Sequence, residues 1–131
     1  MNIGQASRAT GVSTKMIRYY ESVDLIRPAD RTDSNYRDFS ERDINELRFI
    51  RRSRNLGFSV EEITRLLALW RDRERPSREV KAVAEKHIGE LEARIAGMQG
   101  MADTLRTLAA CCAGDERPDC PILTDLGAPP V

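Results

Sequence analysis

Apolar residues recur three and four positions apart through most of this chain, and polar breaks divide it into several short amphipathic helices followed by one long one. Ile3, Ala6 and Ala9 predict a helix over residues 3–10 that stops at Gly11. Ser13 is an N-cap candidate for a second helix, Thr14 to about Ser22, with Met16, Ile17 and Tyr20 turned inward. Two short helices joined by a glycine-containing turn make a helix-turn-helix. Leu25 and Ile26 leave this unit, and Pro28 forbids a regular continuation. Polar residues 29–35 then lead to Tyr36-Arg37-Asp38-Phe39, which alternates as a short strand, so the two extended pieces predict a small hairpin, or wing.

Ser40, with Asp43 three residues later, predicts the capped start of a helix carrying Ile44, Leu47, Phe49 and Ile50, which Leu56-Gly57-Phe58 ends. Ser59 caps the next, with Glu62 at the capping-box position and Val60, Ile63, Leu66, Leu67 and Trp70 on its apolar face. Arg71 to Pro76 is a charged connector. Ser77 opens the longest periodic segment, in which Ala84, Ile88, Leu91, Ile95, Met98, Ala102, Leu105 and Ala109 alternate steps of four and three, the seam of a coiled coil. From Ser77 to Leu108 such a helix runs roughly 48 Å, too long for a small N-terminal domain to cover. A second copy packed antiparallel is the simplest cover and makes a symmetric dimer. Gly89, Gly97 and Gly100 each cost about 1 kcal/mol in a helix interior and would mark close backbone approach.

Composition narrows the partners. A chain of 131 residues holds one ordinary core, or one small domain and a long oligomerising helix. Its 21 basic and 21 acidic side chains cancel, yet residues 1–58 carry 11 Lys or Arg against 8 Asp or Glu, leaving the remainder with 10 against 13. The first part is thus positive by three and suited to phosphates through local patches. There is no leader-like opening and no apolar run of membrane-spanning length, so a cytoplasmic protein with reduced thiols and no membrane partner is expected.

On the second helix Thr14, Lys15 and Arg18 fall on one side, where Arg and Lys meet guanine edges or phosphates in a major groove. Taken alone this is equally a solvated polar face. Arg31, Tyr36 and Arg37 of the wing add charge and an aromatic hydroxyl beside it and favour DNA. Ile3-Gly4-Gln5-Ala6, Gly11-Val12-Ser13, Met16-Ile17-Arg18-Tyr19-Tyr20-Glu21, Tyr36-Arg37 and Leu56-Gly57-Phe58-Ser59 resemble the N-terminal domain of MerR-type transcription regulators. The likeness runs on to the C-terminal cysteines and is nearest to the copper-efflux branch (CueR or HmrR). It implies a mainly α fold, with a winged helix-turn-helix, an antiparallel coiled-coil homodimer and a C-terminal metal-binding loop. It also implies activation, through DNA distortion, of promoters whose elements RNA polymerase otherwise meets at the wrong spacing. The expected DNA contacts are Ser13, Thr14, Lys15, Arg18, Tyr19, Arg31, Tyr36 and Arg37. In one departure, Asn35 stands where the family usually has Gly before Tyr-Arg; Asn is the next best residue for a left-handed turn.

All three cysteines, Cys111, Cys112 and Cys120, lie near the end of the chain. Cys112 and Cys120 enclose seven residues, among them Gly114 and Pro118, which permit a tight loop that brings two sulfurs together. Reduced thiolates suit copper(I), silver(I) and gold(I), one ion per loop, whereas closed zinc sites usually need four ligands. Two thiolates on a monovalent ion leave one negative charge that must be compensated. A short helix from Pro121 through Leu126 would turn its N-terminal amides toward the sulfurs. Lys81 of a partner chain is a second source of compensation, supported by its family position. The family also places a Cys at position 77 in its divalent-metal sensors and a Ser in its monovalent ones. Ser77 thus implies a monovalent ion, and by itself it reads as the N-cap of the long helix. Cys111 reads as a spacer, a nonligand thiol or a third ligand, with the spacer favoured, and His87 as a helix-surface or interface histidine.

The expected organisation is a DNA-binding domain over 1–70, a connector over 71–76, a dimerisation helix over 77–110, and a metal-binding loop, short helix and tail over 111–131. A divalent zinc, cadmium or lead sensor using Cys111, a thiol redox sensor and a metal buffer are the competing readings. An enzyme is not expected, since no Cys and His pair is set for nucleophilic catalysis and no phosphate-cradling glycine loop occurs.

Overall fold

The computed structural model describes residues Met1–Pro130. Six helices, α1 (Ile3–Thr10), α2 (Thr14–Ser22), α3 (Glu41–Asn55), α4 (Val60–Arg71), α5 (Ser77–Cys111) and α6 (Pro121–Leu126), accompany strands β1 (Asp30–Arg31) and β2 (Arg37–Asp38). The strands pair antiparallel between α2 and α3, Asp30 opposite Asp38 and Arg31 opposite Arg37, and form the expected wing. The chain gathers into two compact units, Met1–Ala84 and a second that begins at Glu85. No helix among the described residues is long and apolar enough to cross a membrane.

Local chemistry sets the helix starts of the first unit. Asn2 with Gln5, Ser40 with Asp43 and Ser59 with Glu62 form complete capping boxes, and Ser13 Oγ accepts from the Met16 amide at 3.1 Å. Each such cap contributes about 1 kcal/mol by occupying amides that a helix leaves unpaired. Gly11 ends α1 in the left-handed region, at φ 75°, where a side chain is strained. The Thr10 hydroxyl then knits the turn, donating to the Ala6 carbonyl and accepting from the Val12 amide. At the wing tip Asn35 takes φ 65°, the left-handed turn for which Asn substitutes for Gly.

The core of the first unit draws Ala6 from α1, Ile17 and Tyr20 from α2, Ile44, Leu47 and Ile50 from α3, and Ile63, Leu66 and Leu67 from α4. Leu25, Ile26, Phe39 and Phe58 fill in from the connections, and Val83 closes the cluster. Burying each Leu or Ile contributes about 1.5–3 kcal/mol. Two residues expected inside lie at the margin. Met16 is exposed, because it stands about 100° around the helix from Ile17, beyond the narrow stripe a nine-residue helix buries. Trp70 is also exposed along one edge, with its ring stacked on Phe49 at 4.6 Å between centroids.

In α5, Ser77 is the first helical residue and Pro76 precedes it, so Ser77 sits inside the first turn rather than in the flanking cap position. Along the helix Ile88, Ile95, Met98, Met101 and Leu105 are exposed, Ile95 and Met98 to 66%. Among the described residues, a side chain at Gly89, Gly97 or Gly100 would meet nothing within 4 Å beyond the adjoining backbone of α5 itself. His87 is buried, not on the helix surface, with Glu90 one turn further on at 3.8 Å from Nδ1.

A buried carboxylate ties α3 to α4. Glu46 accepts from Arg71 Nε and a terminal Arg71 amine, both at 2.9 Å, and the same guanidinium reaches the Leu25 carbonyl at 3.5 Å. Burial lowers the affinity of Arg71 for its proton, but the hydrogen bond to Glu46 outweighs it and raises the Arg71 pKa. Glu46→Ala is expected to lower stability by about 1.5–3 kcal/mol, the worth of a hydrogen-bonded charge, in urea unfolding with an unchanged m value. A loss below about 0.5 kcal/mol, the size of an ordinary surface substitution, would show that the pair does not hold α4.

Candidate functional sites: a nucleic-acid face and a thiol loop

The first site is built on α2 and the wing. Because Ile17 and Tyr20 fasten α2 to the core, Lys15, Arg18 and Tyr19 are left on its exposed side, with Ser13 exposed at the cap and Thr14 half-buried. The wing is shaped by its own backbone. The Thr32 amide donates to the Tyr36 carbonyl at 2.8 Å, the Asn35 amide to the Thr32 carbonyl at 2.8 Å, and the Tyr36 amide to Thr32 Oγ1 at 3.2 Å. Tyr36 is thereby held outward, 71% exposed, while Arg31 donates to the Asn35 carbonyl at 3.2 Å. Arg37 differs from the other expected cations in being largely covered, its Nε donating to Glu21 Oε1 at 2.8 Å.

Several cations of the first unit are engaged by acceptors of the fold while remaining exposed. Arg71 serves Glu46, Arg27 lies 3.5 Å from the buried Asp43, and Arg51 donates to the Gly11 carbonyl at the end of α1. Arg48 lies against the Ala9 carbonyl, so two cations of α3 meet the carbonyl end of α1, where a helix dipole favours them. Glu21 was missed by sequence reasoning. It belongs to the Tyr19-Tyr20-Glu21 run, but its polar neighbours in sequence suggested only another solvated charge.

The second site lies in the other unit. Cys111 is the last residue of α5 and is exposed, whereas Cys112 and Cys120 are both half-buried. The chain leaves α5 with the Cys112 amide on the Ala109 carbonyl at 3.1 Å and turns through Gly114 at φ 65°. Asp115 then folds onto Arg117, accepting from its amide and its Nε at 2.9 Å each, which depresses the Asp115 pKa. Cys120 flanks α6, with Pro121 as the first helical residue, so the free amides of the first turn face back onto it. The Leu123 amide pulls the Cys120 pKa below its ordinary value; the Ile122 amide and the adjacent Cys112 thiol add to this, and desolvation opposes it. Two thiols side by side, one already biased toward thiolate, form a donor set fitted to a soft cation.

Ser77 and Lys81 are exposed one turn apart at the start of α5 and belong to the first unit, apart from the cysteines. They line a cleft of about 560 Å³ with Phe49, Leu66, Trp70 and Val80.

Residues 1–70 match the family model described as MerR HTH family regulatory protein, and residues 44–108 match the MerR DNA-binding model. The chain belongs to the MerR family. MerR proteins are DNA-binding transcription regulators, not enzymes. Among its relatives, Heavy metal-dependent transcription regulator 2 of Rhizobium meliloti (strain 1021) is 60% identical over 96% of this chain and 86% of the relative. The HTH-type transcriptional regulator CueR of Salmonella typhimurium is 38% identical over 96% of this chain and 91% of that protein. The regulator PbrR691 from Ralstonia metallidurans CH34, solved in complex with lead(II), superposes with a TM-score of 0.84 at 28% identity, covering 97% of this chain and 99% of that one.

Because the α6 amides favour the charged form, the Cys120 thiolate is expected to persist to lower pH than that of an ordinary cysteine. Alkylation of the reduced, metal-free protein by iodoacetamide, read by peptide mass at Cys120 against pH, should fall off below the range of a free cysteine peptide. A profile superimposable on that peptide would contradict the amide contacts.

Proposed function

We propose that this MerR-family regulator senses copper(I), and with it silver(I) and gold(I), through Cys112 and Cys120, and activates metal-efflux promoters by distorting their DNA. The observation that carries the reading is the pair of adjacent thiols at the amide end of α6. Cys112 and Cys120 supply two sulfurs, which suits a monovalent ion of low coordination number. The amides offset part of the negative charge that such a pair retains around that ion. Ser77 stands where divalent sensors of the family carry a Cys, and relatives named heavy metal-dependent regulators and CueR agree with a metal signal.

The uncovered apolar stripe of α5 supports a homodimer, with a second copy packed antiparallel along it. That arrangement would bring Lys81 and Ser77 of one chain toward the loop of its partner. Two copies of α2 on a twofold read two half-sites of one promoter, with Ser13, Thr14, Lys15, Arg18 and Tyr19 at the groove and Arg31, Tyr36 and Arg37 on the flanking backbone. The metal then acts on transcription by favouring one shape of bound DNA over another, so that RNA polymerase reaches both promoter elements. Such a protein works in the cytoplasm, where its thiols stay reduced.

A divalent sensor with Cys111 as a further ligand is the second reading, favoured by the lead(II) complex of PbrR691 and by the position of Cys111 next to Cys112. X-ray absorption of the copper(I)-loaded protein separates the two: two sulfurs per ion support the pair, and three bring Cys111 in.

Cys112→Ser and Cys120→Ser are each expected to keep promoter binding and lose copper induction in a reporter assay. Full induction in either variant would sink the ligand pair. Arg18→Ala is expected to weaken binding by about 1–3 kcal/mol with or without metal, and unchanged affinity at moderate salt would remove α2 from the DNA face.

A further inference from the structure

The wing is a poor structure on its own terms. Both of its registered pairs set like charges opposite each other, Asp30 against Asp38 and Arg31 against Arg37, an arrangement that destabilises a two-stranded ladder. Each member has a further partner, three of them outside the wing. Arg27 lies 3.8 Å from Asp30, the N-terminal ammonium 3.0 Å from Asp38, and the Asn35 carbonyl accepts from Arg31. Arg37 is answered from another element, since its partner Glu21 is in the last turn of α2, one turn beyond Arg18.

Glu21 is more than a counter-charge. Its side chain is nine-tenths buried and both oxygens are committed: Oε1 accepts from Arg37 Nε at 2.8 Å, and Oε2 from the Ala29 amide at 3.0 Å, just before β1 begins. One carboxylate on the helix therefore holds both strands of the wing. Arg37 meets it through Nε, which leaves the terminal amines of the guanidinium for another acceptor.

We propose that Glu21 is a positioning residue for DNA binding: it locks the wing to the end of the recognition helix and aims Arg37, with Arg31 beside it, at one backbone phosphate. This rests on the reading of α2 and the wing as the DNA face. Without Glu21 two facing guanidiniums repel, and the wing loses its only side-chain tie to α2 among the described residues. With it, helix and wing meet the duplex as one body, and the entropy of ordering the wing is already spent before DNA arrives. Base discrimination belongs to α2, so the loss of Glu21 weakens binding to all sequences alike.

The experiment is a double-mutant cycle on the full-length protein, with a duplex selected from a random-sequence pool by the wild type. Affinity is measured across a salt series for wild type, Glu21→Gln, Arg37→Ala and the double variant, and thermal unfolding for each. Glu21→Gln is expected to weaken binding about tenfold and to lower the slope of log affinity against log salt by about one, as loss of a phosphate contact does. In the Arg37→Ala background it should add nothing further. A Glu21→Gln variant that melts earlier but keeps the wild-type slope has lost only structure and overturns the proposal, as does full additivity with Arg37→Ala. Should Glu21→Gln fail to fold, Arg37→Gln replaces it: the side chain keeps much of its length but loses the cation, so the slope should again fall by about one, and a wild-type slope overturns the proposal. A wild type that selects no duplex fails the underlying DNA-face reading instead.

Discussion

Glu46 is buried between α3 and α4, where a carboxylate needs cationic partners in place of the water it has lost. Arg71 does so with two donors, and because Arg71 is the last residue of α4, the pair dictates where that helix ends against α3. The same guanidinium reaches the Leu25 carbonyl, where the chain leaves α2. The segment that follows α2 and the end of α4 are thus joined through one guanidinium to one carboxylate. Asp43 and Glu21 repeat the device nearby, each nearly buried and each paired with an arginine. Polar atoms that look like surface in the sequence become the joints of a small domain whose apolar core alone leaves these connections loose.

The thiol loop follows the same electrostatics with partial charges. A helix start holds amides without partners, and Pro121 places that start immediately after Cys120. The amides of Ile122 and Leu123 favour the Cys120 thiolate in the same sense as arginine favours a carboxylate, though with partial charges only. Amides carry no net charge and cannot be titrated away, so this bias toward thiolate needs no counter-ion at the sulfur. α5 ends at Cys111, so the loop follows directly on the helix that leaves Ile88, Ile95, Met98 and Leu105 exposed.

Much of this was legible one residue at a time. The capping pairs Ser40 with Asp43 and Ser59 with Glu62 act over three residues, and the stop at Gly11 and the left-handed Asn35 depend on their own backbone angles. Helix periodicity marked Ile17, Tyr20, Ile44, Leu47, Ile63 and Leu67 as core. It misjudged Met16 and Trp70, where a short helix or a domain edge leaves part of the predicted face uncovered. The cysteines were conspicuous by grouping, and Pro121 announced the helix that faces them. Glu21, Glu46 and the arginines that pair with them carried no such mark, since in sequence each is one charge among many.

The sequence by itself determined the order and ends of the helices, the family, and the chemistry gathered in the last twenty residues, because caps, periodicity and side-chain type are local properties of a chain. Only the tertiary structure decided which charges are structural and which are left for a ligand. Arg37 finds Glu21 across 16 positions, Arg71 finds Glu46 across 25, and Arg71 finds the Leu25 carbonyl across 46. Such partners are chosen by packing, which brings distant residues together and removes the water that otherwise makes one surface charge as good as another.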